Sequence, residues 1–237
     1  MMKNNNGDVK MKKKITLLLT MALIFTACFA FSGCGNKVEN DIWVVTYETD
    51  SGSDYTYEDI QVDENGNVIS QREGANTYIY EYNEDGLLVK ETRENTLYGI
   101  EINTYEYDEN GLVVRTEEDN DGSITDGKAF TYSYTFDDEG RVASMKSENV
   151  NGEWSALTEY TYNDDGSIDT ATEHSSKVYV TKFYYDENGN VIRTFTTADG
   201  WTRERTFEYE NMGTYSYDEE EMPLAEKYRA FRTNYRK

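Results

Sequence analysis

The sequence predicts a mainly β protein. It reads as an antiparallel meander of β-hairpins forming a curved or curled sheet, with one C-terminal α-helix and an N-terminal signal helix. Three observations carry this. Seven glycines (Gly66, Gly86, Gly111, Gly140, Gly166, Gly189 and Gly213) recur at intervals of 20, 25, 29, 26, 23 and 24 residues. Rings and aliphatics stand at fixed offsets around them. A single proline, Pro223, occurs in 237 residues, so long strands run uninterrupted.

The chain begins with an address. Lys10, Lys12, Lys13 and Lys14 precede an apolar run from Ile15 to Phe31, broken by Thr16, Thr20 and Thr26, and Ser32-Gly33-Cys34-Gly35-Asn36 follows. A basic region, an apolar stretch and small residues before a cleavage point make a secretory signal over 1–33, with Met11 as an alternative start. This run of 17 residues falls short of the roughly 20 that span a bilayer. Phe31-Ser32-Gly33-Cys34 resembles the lipobox of bacterial lipoproteins. The resemblance implies a diacylglyceryl group on Cys34, which becomes the first mature residue. The chain would then be held on the extracytoplasmic face of the bacterial cell membrane. Cys28 is a second candidate cysteine; plain secretion and an uncleaved anchor are the other readings. Residues 34–41 read as a tether. The two cysteines lie inside the signal and at its cleavage point, so the mature domain has no disulfide framework.

Residues 42–217 form the repeated region. Ile42-Trp43-Val44-Val45-Thr46-Tyr47 is a β-rich run, and Asp50-Ser51-Gly52-Ser53 is a turn. Thereafter four residues before each glycine stand Val62, Tyr82, Tyr107, Phe136, Tyr162, Tyr185 and Tyr209. Six before stand Ile60, Tyr80, Tyr105, Tyr134, Tyr160, Phe183 and Phe207; an aliphatic or a ring follows two residues after. The period of two puts both rings on one face of a strand. The Asp/Asn-rich tetrad ending in glycine fits a type I turn closed at positive φ, so each unit is a hairpin and the whole about 14 strands. A propeller is rejected, because a four-stranded blade needs about 40–50 residues. Tyr105-Glu106-Tyr107-Asp108-Glu109-Asn110-Gly111-Leu112-Val113 is the cleanest unit. This pattern resembles the YD repeats of RHS and teneurin-type proteins over residues 55–217. That resemblance implies architecture rather than activity.

Residues 218–237 change period. Leu224, Tyr228, Phe231 and Tyr235 share one helical face. Pro223 suits a first turn, and Arg232, Arg236 and Lys237 suit the negative end of the dipole. This segment is expected to cover a face or edge of the sheet.

Composition narrows function. The formal charge is −23, from 23 basic and 46 acidic residues. Removing 1–33 leaves 18 basic against 45 acidic residues, a charge of −27. Such a surface does not bind nucleic acid, which needs a basic stripe. Glu117 to Ile124 looks like the first half of a calcium loop with glycine at the sixth position. The twelfth position, where a bidentate glutamate belongs, is Lys128; at the turns containing Gly66 and Gly189 it is Arg72 and Phe195. Turn chemistry is the simpler reading, with no metal or other cofactor expected and calcium the minority alternative. His174 is the only histidine, and no Gly-x-Ser-x-Gly elbow exists, so no catalytic residue is singled out. Trp154 and Trp201 follow inter-repeat turns beside acidic and amide groups; packing at the sheet rim is the simpler reading, and stacking of exposed rings on sugars is the functional one. The function expected is a non-enzymatic binding or scaffold role at the cell surface, with a glycan or protein ligand. The alternatives are an envelope polysaccharide hydrolase using paired carboxylates, and a structural or neutralising partner in an RHS-like system.

Overall fold

The computed structural model describes residues 37–120 and 128–218. Within them the chain forms β1 (Lys37–Asp50), β2 (Ser53–Val62), β3 (Val68–Glu73), β4 (Asn76–Tyr82), β5 (Leu88–Asn95), β6 (Gly99–Tyr107) and β7 (Val113–Asn120). It continues through β8 (Lys128–Phe136), β9 (Val142–Asn149), β10 (Ser155–Tyr162), β11 (Ile168–His174), β12 (Val178–Tyr185), β13 (Val191–Ala198) and β14 (Trp201–Asp218). Each strand pairs antiparallel with its sequence neighbours, and β14 pairs back onto β1, so the sheet is a closed barrel.

Closure corrects the curved or curled meander sheet expected from the sequence. It also corrects the picture of a hairpin-repeat array of the YD kind. An array of repeats has two free ends, whereas here the first and last strands share one ladder from Lys37↔Asp218 to Asp50↔Arg205. The physical reason is that a one-sided apolar face needs cover, and closing the sheet on itself supplies cover and removes both edges. Lys37 to Asp41, expected as tether, belong to β1. The signal helix over 1–33 and Cys34 lie outside the described residues. So does the helix expected over 218–237, except for Asp218, which ends β14.

The strand alternation is visible in burial. Along β10, Ala156 and Thr158 are buried while Ser155, Leu157 and Glu159 are exposed. The inward residues include Val68, Tyr80, Leu88, Val142, Ile168, Phe183, Val191 and Phe207, which join one core. The outward face carries ion pairs and hydroxyl pairs: Lys90–Glu81 at 2.6 Å, Lys182–Asp169 at 2.8 Å, Thr161–Thr170 at 2.7 Å. Charges spaced this way suit water and would be costly against lipid.

Consecutive strands run in opposite directions, so their turns gather in two sets at opposite ends. At one end lie the acidic turns of 63–67, 83–87, 108–112, 137–141, 163–167 and 186–190. Asp63 shows how they close. Its carboxylate accepts the backbone N–H groups of Asn65 at 2.9 Å and Asn67 at 2.8 Å, and Gly66 turns at φ +78°. Asp108, Asp137 and Asp186 repeat the arrangement. These carboxylates are thus committed to turn backbone.

A hydroxyl ladder ties each unit to the one before. The hydroxyl of Tyr107 donates to the carbonyl of Leu88 at 2.6 Å, Tyr162 to Val142 at 2.7 Å, Tyr185 to Ile168 at 2.8 Å and Tyr209 to Val191 at 2.8 Å. Tyr82 does the same to Val68 at 2.8 Å. Each carbonyl stands two residues ahead of the first ladder pair with the next strand, as Leu88 precedes Lys90↔Thr104. The tyrosine supplies the donor that the ladder lacks there. Phe136 has no hydroxyl, and Tyr134 takes its place on Val113 at 2.6 Å.

β1 and β14 overrun this end. Register shifts beside Asp41/Trp43, with Gly213 at φ +129°, bend the ribbon. Ile42 and Tyr215 come to rest against the turn at Gly66, where an added Cβ would stand 3.1 Å and 3.0 Å from them. The Asn40 amide donates to the Tyr215 hydroxyl at 3.3 Å.

Candidate functional site

The opposite end carries the turns at 51–52, 74–75, 96–98, 150–154, 175–177 and 199–200. Inward positions here change character. Moving from the acidic turns toward this rim, the rings and aliphatics give way to amides, carboxylates and guanidinium groups on the same face.

From β1 to β6 these groups form a polar arc. Glu73 accepts the Asn76 amide at 2.6 Å and the Tyr78 hydroxyl at 3.4 Å. The Asn76 carbonyl oxygen accepts Arg93 at 3.2 Å and Asn95 at 2.5 Å. Arg93 reaches Glu101 at 3.3 Å, and Tyr105 donates to Glu91 at 3.2 Å. Deeper in the same arc, Gln71 is 2% exposed. Its amide donates to the Tyr80 hydroxyl, while its carbonyl oxygen Oε1 has no donor. At the seam, Arg203 donates through Nε to Asp50 at 2.8 Å, and Arg205 through Nε to Glu48 at 2.7 Å. The Tyr57 hydroxyl also donates to Glu48, at 3.1 Å.

The electrostatics follow from these contacts. Burial pushes the Tyr57 phenol well above its ordinary value, and the Glu48 charge beside it adds to the shift. Burial likewise pushes Tyr78 up to about 12. The hydrogen bond from Arg203 holds the Asp50 carboxyl below the usual carboxylate range.

From β8 to β14 the rim is aromatic. Phe130 and Tyr179 face inward, paired across the sheet with Thr116 and Glu173. Trp154 meets Phe130 edge to face, with ring centres 5.8 Å apart. Trp201 meets Tyr179 in the same way at 6.3 Å. The two tryptophans remain 42% and 45% exposed, so a ligand at this end reaches their rings. The sequence singled out both, and the fold places them at one end. Their partners were not legible: Phe130 and Tyr179 look like ordinary members of the strand pattern. The polar arc was hidden too, because Asn, Glu and Arg on a strand read as a solvent face. The signal was there in the parity, since Asn76, Arg93 and Glu101 occupy the positions that rings hold nearer the acidic turns.

His174 sits elsewhere, exposed on the outer face with Nε2 3.0 Å from Glu159. Of the calcium-like stretch, residues 121–127 lie outside the described residues. Among the described residues no group of three or more His, Cys, Asp and Glu is placed to hold a metal ion.

No protein-family model matches the chain, and no curated protein matches its sequence. Solved structures resemble it distantly. A porin-like protein from Bacteroides vulgatus ATCC 8482 shares 14% identity over 70% of this chain and 98% of its own, with a TM-score of 0.43. A porin-like protein from Bacteroides uniformis ATCC 8492 shares 12% over 74% and 96%, with a TM-score of 0.35. TcdB2-TccC3 shares 10% over 78% of this chain but 14% of its own, with a TM-score of 0.30. At these scores the likenesses assign neither family nor activity, and the YD resemblance does not become a membership.

Proposed function

We propose that the chain is a non-enzymatic binding protein of the bacterial envelope, and that the rim at the Trp154/Trp201 end receives a glycan. One observation carries this reading. An aromatic arc with two half-exposed tryptophans stands across the barrel mouth from an arc of amides and carboxylates. Sugars present apolar C–H faces and a periphery of hydroxyls, and this combination meets both.

The envelope location rests on the export signal, and a lipid on Cys34 is the proposed anchor. Topology adds an orientation. Lys37 pairs with Asp218 at the tip of the overrunning ribbon, beyond the acidic turns. A tether from Cys34 therefore attaches at that end and points the rim away from the membrane. A Cys34→Ala chain is expected to leave the membrane fraction; retention there would remove the anchor.

The reading is tested on a glycan array with Trp154→Ala and Trp201→Ala as controls. Binding is expected for the unaltered chain, with a roughly tenfold or greater loss in each variant, the scale of one removed stacking contact. The glycan is expected back intact. Cleavage would move the case to the hydrolase reading, and absence of binding to any sugar would remove the glycan. A protein ligand is the second reading, favoured by the turn bearing Leu97 and Tyr98, which are 78% and 83% exposed at the same end.

A further inference from the structure

We infer that the mouth selects amine-bearing glycans over neutral and anionic ones, an inference that rests on the glycan reading above and names its ligand class. The rim is rich in acceptors, and its arginine donors are committed. Arg93 is held by Glu101, Arg203 by Asp50 and Arg205 by Glu48, so these guanidinium groups are already matched to carboxylates. Glu73 is different: its partners are the Asn76 amide and the Tyr78 hydroxyl, both neutral. Two residues along the same face of β3, Gln71 turns a carbonyl oxygen inward that receives no hydrogen. An unmatched buried acceptor is costly, and a ligand bearing donors relieves it.

Inward acids are spread round the rim at Glu73, Glu91, Glu101 and Glu173, paired by register with Tyr57, Tyr80, Arg93 and Tyr179. An anionic sugar entering here meets like charge in a partly desolvated mouth. A protonated amine brings three donors and one positive charge, satisfies carboxylate and carbonyl together, and is attracted to the faces of Trp154 and Trp201. The two arcs therefore recognise one chemistry: a saccharide chain whose rings stack on tryptophan and whose ammonium groups reach the Gln71–Glu73 side.

The test compares three oligosaccharides of equal length on the full chain in detergent: glucosamine, N-acetylglucosamine and galacturonate pentamers, with pentalysine as a non-sugar cation. The glucosamine chain is expected to bind roughly tenfold tighter than its acetylated counterpart, the scale of one charge-assisted hydrogen bond. The galacturonate chain is expected to bind weakest. The amine preference is expected to shrink with added salt and as pH rises through the range where the ligand amine loses its proton, a readout that needs no variant. Glu73→Gln is expected to weaken the glucosamine chain more than the acetylated chain, bringing the two affinities within about twofold of each other. Equal binding of the amine and acetylated chains, or preference for galacturonate, overturns the charge selectivity and leaves the glycan reading in place. Tighter binding of pentalysine than of the amino sugar overturns it in favour of a protein ligand. Binding of none of the four removes both.

Discussion

At the scale of single residues, the tyrosine hydroxyls and the carboxylate–arginine contacts make separable claims. Tyr107→Phe removes the donor to the Leu88 carbonyl and leaves the ring in place. A loss of about 1 kcal/mol in denaturant unfolding is expected, the net value of one hydrogen bond. Phe136→Tyr is expected to gain little, because Tyr134 already serves the Val113 carbonyl. Asp50 makes a pH-dependent contribution. Its carboxyl is held low in the folded chain by the hydrogen bond from Arg203. A depressed carboxylate stabilises the fold above its unfolded value of about 3.9 and loses that effect as pH falls through the folded value. Asp50→Asn is therefore expected to lower the Tm near pH 7, with the difference shrinking as pH falls below about 3.9, read by thermal melts between pH 7 and pH 2. An equal offset at both pH values would show that the Asp50 charge contributes nothing.

At the scale of elements, the acidic turns explain why so much of the strand pattern was legible. Asp at the first position, glycine at positive φ and an aliphatic two residues later prescribe a hairpin locally, and Asp108 to Val113 does so without help from the rest of the chain. The same turns are not equivalent once packed. Gly166 turns at φ +85° into open space, while Gly66 turns at φ +78° against Ile42 and Tyr215. Gly166→Ala is expected to cost about 1–2 kcal/mol, the left-handed penalty alone. Gly66→Ala is expected to cost more, since β1 and β14 must also give way. Equal losses in both variants would mean that the ribbon does not rest on that turn. Sequence alone could not show this difference, because Gly66 and Ile42 are brought together by the bend of a ribbon rather than by local pattern.

At the scale of the whole molecule, closure is the property that the sequence concealed. A period of two says which residues face inward, but it is satisfied equally by an open sheet and by a barrel. What selects the barrel lies at the seam, where Glu48 meets Arg205 across 157 positions of chain and Thr49 meets Thr206 at 2.7 Å. No local signal announces a pair so far apart. Contacts at that separation are expected to slow folding, because loop-closure entropy is spent before they form. Arg205→Met leaves Glu48, 2% exposed, without its counter-charge. A loss of about 3–5 kcal/mol is expected, the cost of breaking a buried pair from one side, with recovery when Glu48→Gln is added. Closure is also what sets the polar arc of β1–β6 opposite the aromatic arc of β8–β14, so the rim exists only if the barrel does.

The most direct test of closure is a cross-link at the seam. Thr49 and Thr206 are register partners on the outer face, and residues so placed lie about 4.5–5.5 Å apart at Cα, within disulfide range. Thr49→Cys combined with Thr206→Cys, in a chain whose Cys28 and Cys34 are replaced by serine, is expected to form an intramolecular disulfide rapidly and nearly completely under mild oxidation. The product would migrate as a compact monomer on a non-reducing gel. Free thiols after oxidation, or disulfides only between chains, would show that β1 and β14 do not meet and would contradict the barrel.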